Sequence, residues 1–277
     1  QASKVHLGCK HDCLGLRIPR CFGWVGVMKI QLVSDTHQVD AAKHPIFSPE
    51  DVCSDTDVLV LAGDISGPPA IFYSWLSKFN KNLPIVLVMG NHEFYGKDFW
   101  LCERQLREAL EPLKNVKLLE KESVVIQKTR FLGTTLWSDI RPSEYIHIMR
   151  QVNDYRFIDN GLRTLRPEDT IEEHYANRRW LKERLAETRK SKAVVVTHHL
   201  PSYNLVAAQY KNSPIGSAFA SNLDELILNY EPALWCFGHS HNPTDQMIGN
   251  TRCVSNPLGN RGEHCRENWR SFQVEIS

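Results

Sequence analysis

The sequence predicts an α/β fold, and two observations carry that prediction. Five short runs rich in Val, Ile and Leu (29–33, 58–62, 85–89, 193–197 and 234–237) read as buried strands. Between them lie stretches whose apolar residues recur at helical spacing, such as Phe99, Cys102, Leu106, Ala109, Leu110 and Leu113. Each of the five runs ends directly in a polar word: Asp35-Thr36-His37, Gly63-Asp64, Gly90-Asn91-His92-Glu93, His198-His199 and Gly238-His239-Ser240-His241. Ligands in open α/β sheets sit beyond the carboxyl ends of the strands, so five such ends are expected to converge on one place.

The donor chemistry narrows what that place holds. Asp, Asn and His offer oxygen and imidazole nitrogen without a thiolate, a mixture suited to Mn, Fe, Zn or Ni rather than to a structural zinc. One ion uses about half of these side chains. The whole set is enough for two ions about 4 Å apart sharing a carboxylate.

In their order and spacing the words resemble the calcineurin-like metallophosphoesterases, whose pattern is D-x-H, G-D, G-N-H-[DE], a His, and G-H-x-H. All blocks are present between Asp35 and His241. The resemblance implies that Asp35, His37 and His241 hold one metal, that Asp64 bridges two, and that Asn91, His198 and His239 complete the second site. It leaves His92 without a metal, facing the substrate and helping to expel the leaving group. His199 is then a supporting or substrate-facing neighbour of His198. The implied cofactors are two divalent or trivalent ions, and the implied architecture is a four-layer α-β-β-α sandwich: two packed mixed β-sheets flanked by helices.

The remaining elements follow in order. Residues 1–27 mix basic residues, Gly and three Cys without periodicity and read as an N-terminal extension before a single domain over 28–277; His6, Cys9, His11, Cys13 and Cys21 match no standard zinc spacing. Residues 70–79 form a short helix whose Trp75 and Leu76 pack on the sheet, and 98–113 a covering helix. Runs 123–127 and 130–137 flank a Lys128-Thr129 turn and belong to a second sheet, in agreement with the family's architecture. Residues 138–169 are polar and irregular, and as a long connection they are the candidate substrate wall, with Arg141, Arg150 and Arg156 as possible phosphate grips. Pro167 opens a charged helix to about Arg189, in which His174 is a surface or packing residue. A loop and then a helix over 223–230 lead to the last metal strand. Met247 to Val254 reads as a hairpin, Asn256-Pro257-Leu258-Gly259 resembles the family's N-P-x-G segment, and 271–276 alternates like an edge strand.

Composition excludes some functions. The 277 residues carry a formal net charge of +1, which argues against the basic stripe of a nucleic-acid-polymer binder. Eight scattered Cys suit reduced thiols in a cytoplasm, and Cys236 reads as a small buried thiol. No run of 18 apolar residues exists to span a membrane.

Function follows from charge as well as resemblance. Two divalent ions, two carboxylates and a bridging hydroxide leave a formal positive charge for an anionic phosphate, and a metal brings the pKa of bound water to roughly 7. The expected activity is hydrolysis of a small phosphate monoester or diester by that hydroxide, assisted by His92. A nuclease of the same chemistry and a non-catalytic interaction module on the same fold are the alternatives; the missing basic stripe weighs against the first and the complete donor set against the second. Substrate, metal identity and oligomeric state are not legible.

Overall fold

Strand pairing divides the apolar runs between two sheets. The computed structural model describes residues 26–37, 47–65, 67–188 and 193–277; most of the segment expected to be an N-terminal extension, with His6, Cys9, His11, Cys13 and Cys21, lies outside them. The first sheet holds β1 (Met28–Val33), β2 (Val58–Ala62), β3 (Ile85–Val88) and β4 (Val116–Leu118) in parallel, with β13 (Gln273–Ile276) antiparallel on the β1 edge. The second has six strands, in the order β11 (Thr244–Ile248), β12 (Thr251–Ser255), β10 (Leu234–Cys236), β9 (Ala193–Thr197), β6 (Thr129–Thr134) and β5 (Glu122–Ile126). Here β12, β10, β9 and β6 are parallel, while β11 and β5 pair antiparallel at the two edges. Both sheets are therefore mixed, as expected.

The layering comes from the period-2 alternation of strand side chains. In β2, Val58, Val60 and Ala62 join Ile30, Leu32, Val86 and Val88 in a core between the sheets, where they meet Phe131, Val194, Val196 and Cys236 of the second sheet. The alternate residues Leu59, Leu61, Ile85 and Leu87 face outward onto Phe72, Trp75 and Leu76 of α1 (Pro69–Leu76) and Leu106 and Leu110 of α2 (Cys102–Leu110). On the far side, Leu132, Val195 and Trp235 pack on Leu181 and Leu185 of the long charged helix (Pro167–Ala186) and Leu226 and Ile227 of the helix Asp224–Tyr230. The central strands are buried on both faces, which is why they read as unbroken apolar runs.

Two regions differ from the sequence reading. β4 was not anticipated, because Lys117 interrupts a run of only three residues. The stretch 138–169 is structured: it contains α3 (Tyr145–Gln151), α4 (Asp154–Phe157) and a small hairpin of β7 (Asp159–Asn160) and β8 (Arg163–Thr164). Elements this short bury few side chains, Ile148 being the buried one in α3, so they leave no periodic signal. Among the described residues no helix is long and apolar enough to cross a membrane.

Candidate metal centre

The backbone is bent sharply where the polar words begin. Asp35, His37, Asp64, His239 and His241 all adopt left-handed conformations, with φ of 52°, 46°, 53°, 70° and 48°. Such angles are unfavourable for residues other than glycine and persist only where the surroundings enforce them. Here the enforcement is a lacing between loops. The N–H of Asp35 donates to Gly63 O at 3.0 Å, the N–H of His37 to Asp64 O at 3.0 Å, and Gly238 N–H to His198 O at 3.0 Å. The Asp35 carboxylate accepts from His239 N–H (3.0 and 3.1 Å) and from the Ser34 hydroxyl (2.5 Å). Glu93, buried beneath, accepts from the N–H groups of Asp64 (3.0 Å) and Gly90 (2.5 Å) and so joins two of the words. At Gly90 a Cβ would fall on Asp64 Oδ1, so only glycine lets these loops approach.

This lacing brings all seven expected metal residues together. Donor atoms of Asp35, His37 and His241 lie within 4.8 Å of one another, and so do those of Asp64, His198 and His239. His37, Asp64 and His92 form a third such group that overlaps the first two. His37 Nε2 is 3.0 Å from His241 Nε2, which is 3.5 Å from Asp35 Oδ1. His198 Nε2 sits 3.1 Å from Asn91 Oδ1, 3.2 Å from His239 Nδ1 and 3.4 Å from Asp64 Oδ1.

The donor set fits cations. His198 Nδ1 is 2.9 Å from the Ala62 carbonyl, an acceptor that assigns the ring proton to Nδ1 and leaves the Nε2 lone pair toward Asn91 and Asp64. Glu263 Oε2 stands 2.6 Å from His241 Nδ1 and does the same for that ring. Ring nitrogens thus crowd one another at about 3 Å around two buried carboxylates, an arrangement that positive charge, as protons or as a metal ion, relieves.

The titration behaviour agrees. Burial works against the Asp64 carboxylate, yet the imidazoles of His198, His92 and His37 hold it well below the usual range. Asp35 is likewise held down, against burial, by His241. Burial, reinforced by the neighbouring imidazoles of His199 and His198, pushes His239 well below the ordinary histidine value. Without a cation the site keeps its carboxylates ionised and His239 neutral, while those carboxylates, against burial, raise His198 to about 10 and His241 to about 9, so that a metal ion would displace the protons these two rings hold.

The neighbours of this centre sort clearly. His92 has a half-exposed side chain, with Nε2 3.8 Å from Asp64 Oδ2 and its ring stacked on Tyr95 at 4.3 Å. His199 is buried, its Nδ1 3.3 Å from Thr135 O and its ring against Trp137 and His239, away from the cavity beside the centre. Arg141 lies over the Tyr203 ring and pairs with Glu144 at 2.8 Å. The Arg156 guanidinium donates to the Arg150 carbonyl, and none of the three arginines borders the cavity. The sequence reading gave no role to Glu93, Tyr95, Asp154 or Glu263. Glu93 stood within a motif word, but Asp154 and Glu263 are single carboxylates whose proximity only the folded chain creates.

The family model for calcineurin-like phosphoesterases matches residues 28–243. A curated relative, "Uncharacterized protein L509" of Acanthamoeba polyphaga mimivirus, is 28% identical, the match covering 79% of this chain and 83% of the viral protein. The phosphopantetheinyl hydrolase PptH of Mycobacterium tuberculosis superposes with a TM-score of 0.71 at 16% identity, over 90% of this chain and 96% of that one, a likeness of fold. The chain belongs to the calcineurin-like phosphoesterases. It is accordingly a metal-dependent hydrolase of phosphoesters.

Proposed function

We propose that this chain hydrolyses a small phosphate monoester or diester at a pair of metal ions. Asp35, His37 and His241 would hold one ion, Asn91, His198 and His239 the other, and Asp64 would be shared. The observation that carries this reading is the contiguity of the donor groups through Asp64 and His37, each of which belongs to two of the three clusters. When bound, such ions supply nucleophilic water at neutral pH and positive charge against the phosphoryl oxygens, and Mn, Fe, Zn and Ni all suit these donors.

The protein's own groups do the rest. Asp35 and Asp64 are fixed by hydrogen bonds from His239 N–H and His92 N–H, so the donors are in place before substrate arrives. His92 stands at the cavity wall, its ring oriented by Tyr95, and is placed to give a proton to the departing oxygen. Tyr95 is oriented in turn by donating to Asp154 at 2.8 Å.

The test is metal analysis of protein purified without added metal, followed by turnover of an aryl phosphate and an aryl phosphodiester before and after chelation. Two metal equivalents per chain and activity that returns on reloading are expected. A single equivalent at full activity would remove the shared role of Asp64.

A further inference from the structure

The cavity that opens onto the centre has a volume of about 690 Å³, within the usual range for a small organic ligand. One wall is an excursion between β9 and the helix Asp224–Tyr230; residues 151–154, from the stretch expected to form the substrate wall, and segments 239–243 and 263–265 make much of the rest. That excursion is closed at its base by Leu200 N–H donating to Phe219 O (3.1 Å) and Ser221 N–H to Leu200 O (3.0 Å). It is tied to the segment before α3 by the Glu144 carboxylate, which accepts from Ser217 N–H (2.7 Å) and Ser217 Oγ (2.8 Å). The wall is thus a fixed surface.

The apolar share of the lining is concentrated on the excursion's side; Gln151, Asn153, Gln209, Ser213 and Asn242 add neutral polar groups, and His264 stands beside Glu263. Leu200, Val206, Ile215, Phe219 and Pro243 present carbon to the cavity, and the Phe219 ring lies 4.8 Å from that of His239, so the apolar face runs up to the metal donors. Among the described residues that line it there is no lysine or arginine. The carboxylates that line it, Asp154 and Glu263 together with Asp64, are already engaged with site residues and add only negative charge. Arg141, which the excursion's own Tyr203 could have left free, is instead held over that ring and on Glu144.

We propose that the substrate of this site carries a single phosphoryl group on an uncharged, apolar-bodied organic moiety, an aryl or alkyl ester, which packs on Ile215, Val206 and Phe219. This rests on the phosphoester-hydrolase reading above and adds the substrate class. A second phosphate or a carboxylate packed on that face would meet hydrocarbon, with a desolvation cost and no lysine or arginine among the described lining residues to offset it.

The experiment separates binding from chemistry. Manganese-loaded protein is titrated by calorimetry with 2-phenylethylphosphonate, 2-hydroxyethylphosphonate and 3-phosphonopropanoate, and turnover is measured on the three corresponding phosphate esters. The phenylethyl compound should bind about tenfold or more tighter than the hydroxyethyl one, and the carboxylated one weakest. Ile215→Lys should narrow the gap between phenylethyl and carboxylated ligands; Gln209→Lys, at an exposed position on the same wall, makes the same test should the first variant fail to fold. Comparable affinities for the three ligands, tightest binding of the carboxylated one, or no binding of any would overturn the proposal. Binding in the expected order without turnover of any ester would instead remove the hydrolase reading and leave the wall as assigned. Equal kcat/KM on all three esters would do the reverse.

Discussion

The Nδ1 atom of His241 lies 2.6 Å from Glu263 Oε2, while Nε2 of the same ring faces Asp35 and His37. Glu263 is itself anchored by accepting from Asn260 N–H at 2.9 Å. A carboxylate behind an imidazole fixes its tautomer and raises its basicity. Glu263→Ala should therefore weaken metal binding about 10- to 100-fold at the Asp35–His37–His241 side, read by chelator competition, with the second equivalent retained. Unchanged affinity of both equivalents would show the contact to be incidental.

Asp154 plays the corresponding part for Asn91. The Asn91 amide Nδ2 donates to Asp154 Oδ1 at 2.8 Å, which turns its carbonyl oxygen toward His198. Asp154→Ala leaves that buried amide only the Tyr95 hydroxyl at 3.3 Å and takes the acceptor from Tyr95 as well, and the expected result is a stability loss of about 1–3 kcal/mol in denaturant unfolding. The second metal equivalent should be lost first in the same variant, whereas Tyr95→Phe, which keeps Asp154, should hold both.

The His92 side chain is half-exposed, and its contacts are with the rings of Tyr95 and His37 and with Asp64 at the site itself. His92→Ala should lower kcat by about 10²- to 10⁴-fold while metal content stays at the parent value. Loss of metal in this variant would move His92 into the His37–Asp64 donor group instead.

Acid stability should carry the signature of His174. It is 1% exposed on the long charged helix, with Nδ1 3.1 Å from the Leu136 carbonyl, and burial lowers its pKa from the ordinary 6.5. The folded chain then resists the proton that the unfolded chain accepts. Its contribution is full above the unfolded value and is lost as pH falls below about 6.5, at up to about 1.4 kcal/mol per pH unit. In metal-free protein, His174→Asn should flatten the fall in unfolding free energy between pH 7.5 and 5.5; an identical slope in parent and variant would contradict this.

What the sequence made legible is the part of the molecule in which local pattern and tertiary position coincide. The five apolar runs became central strands with ends within a residue or so of those expected, because burial on both faces leaves a continuous signal. Asp35, His37, Asp64, Asn91, His198, His239 and His241 could be singled out because each sits directly behind such a run. Asp154 and Glu263 could not: they reach Asn91 and His241 across 63 and 22 residues, and a lone acidic residue in a polar stretch carries no mark of its partner. Arg141, one of three candidate phosphate grips, shows the same limit. A guanidinium that folding spends on Tyr203 and Glu144 looks, in sequence, like one available to an anion.

The first sheet delivers Asp35, Asp64 and Asn91, and the second delivers His198, His239 and His241. A cation held by both groups would be a clasp at the rim of two layers that otherwise grip through a hydrocarbon core and a few hydrogen bonds between loops, such as His239 N–H to Asp35. Loading such a clasp and docking the layers become one thermodynamic event, so any sliding of one layer over the other is felt first as a loosened grip on the ion.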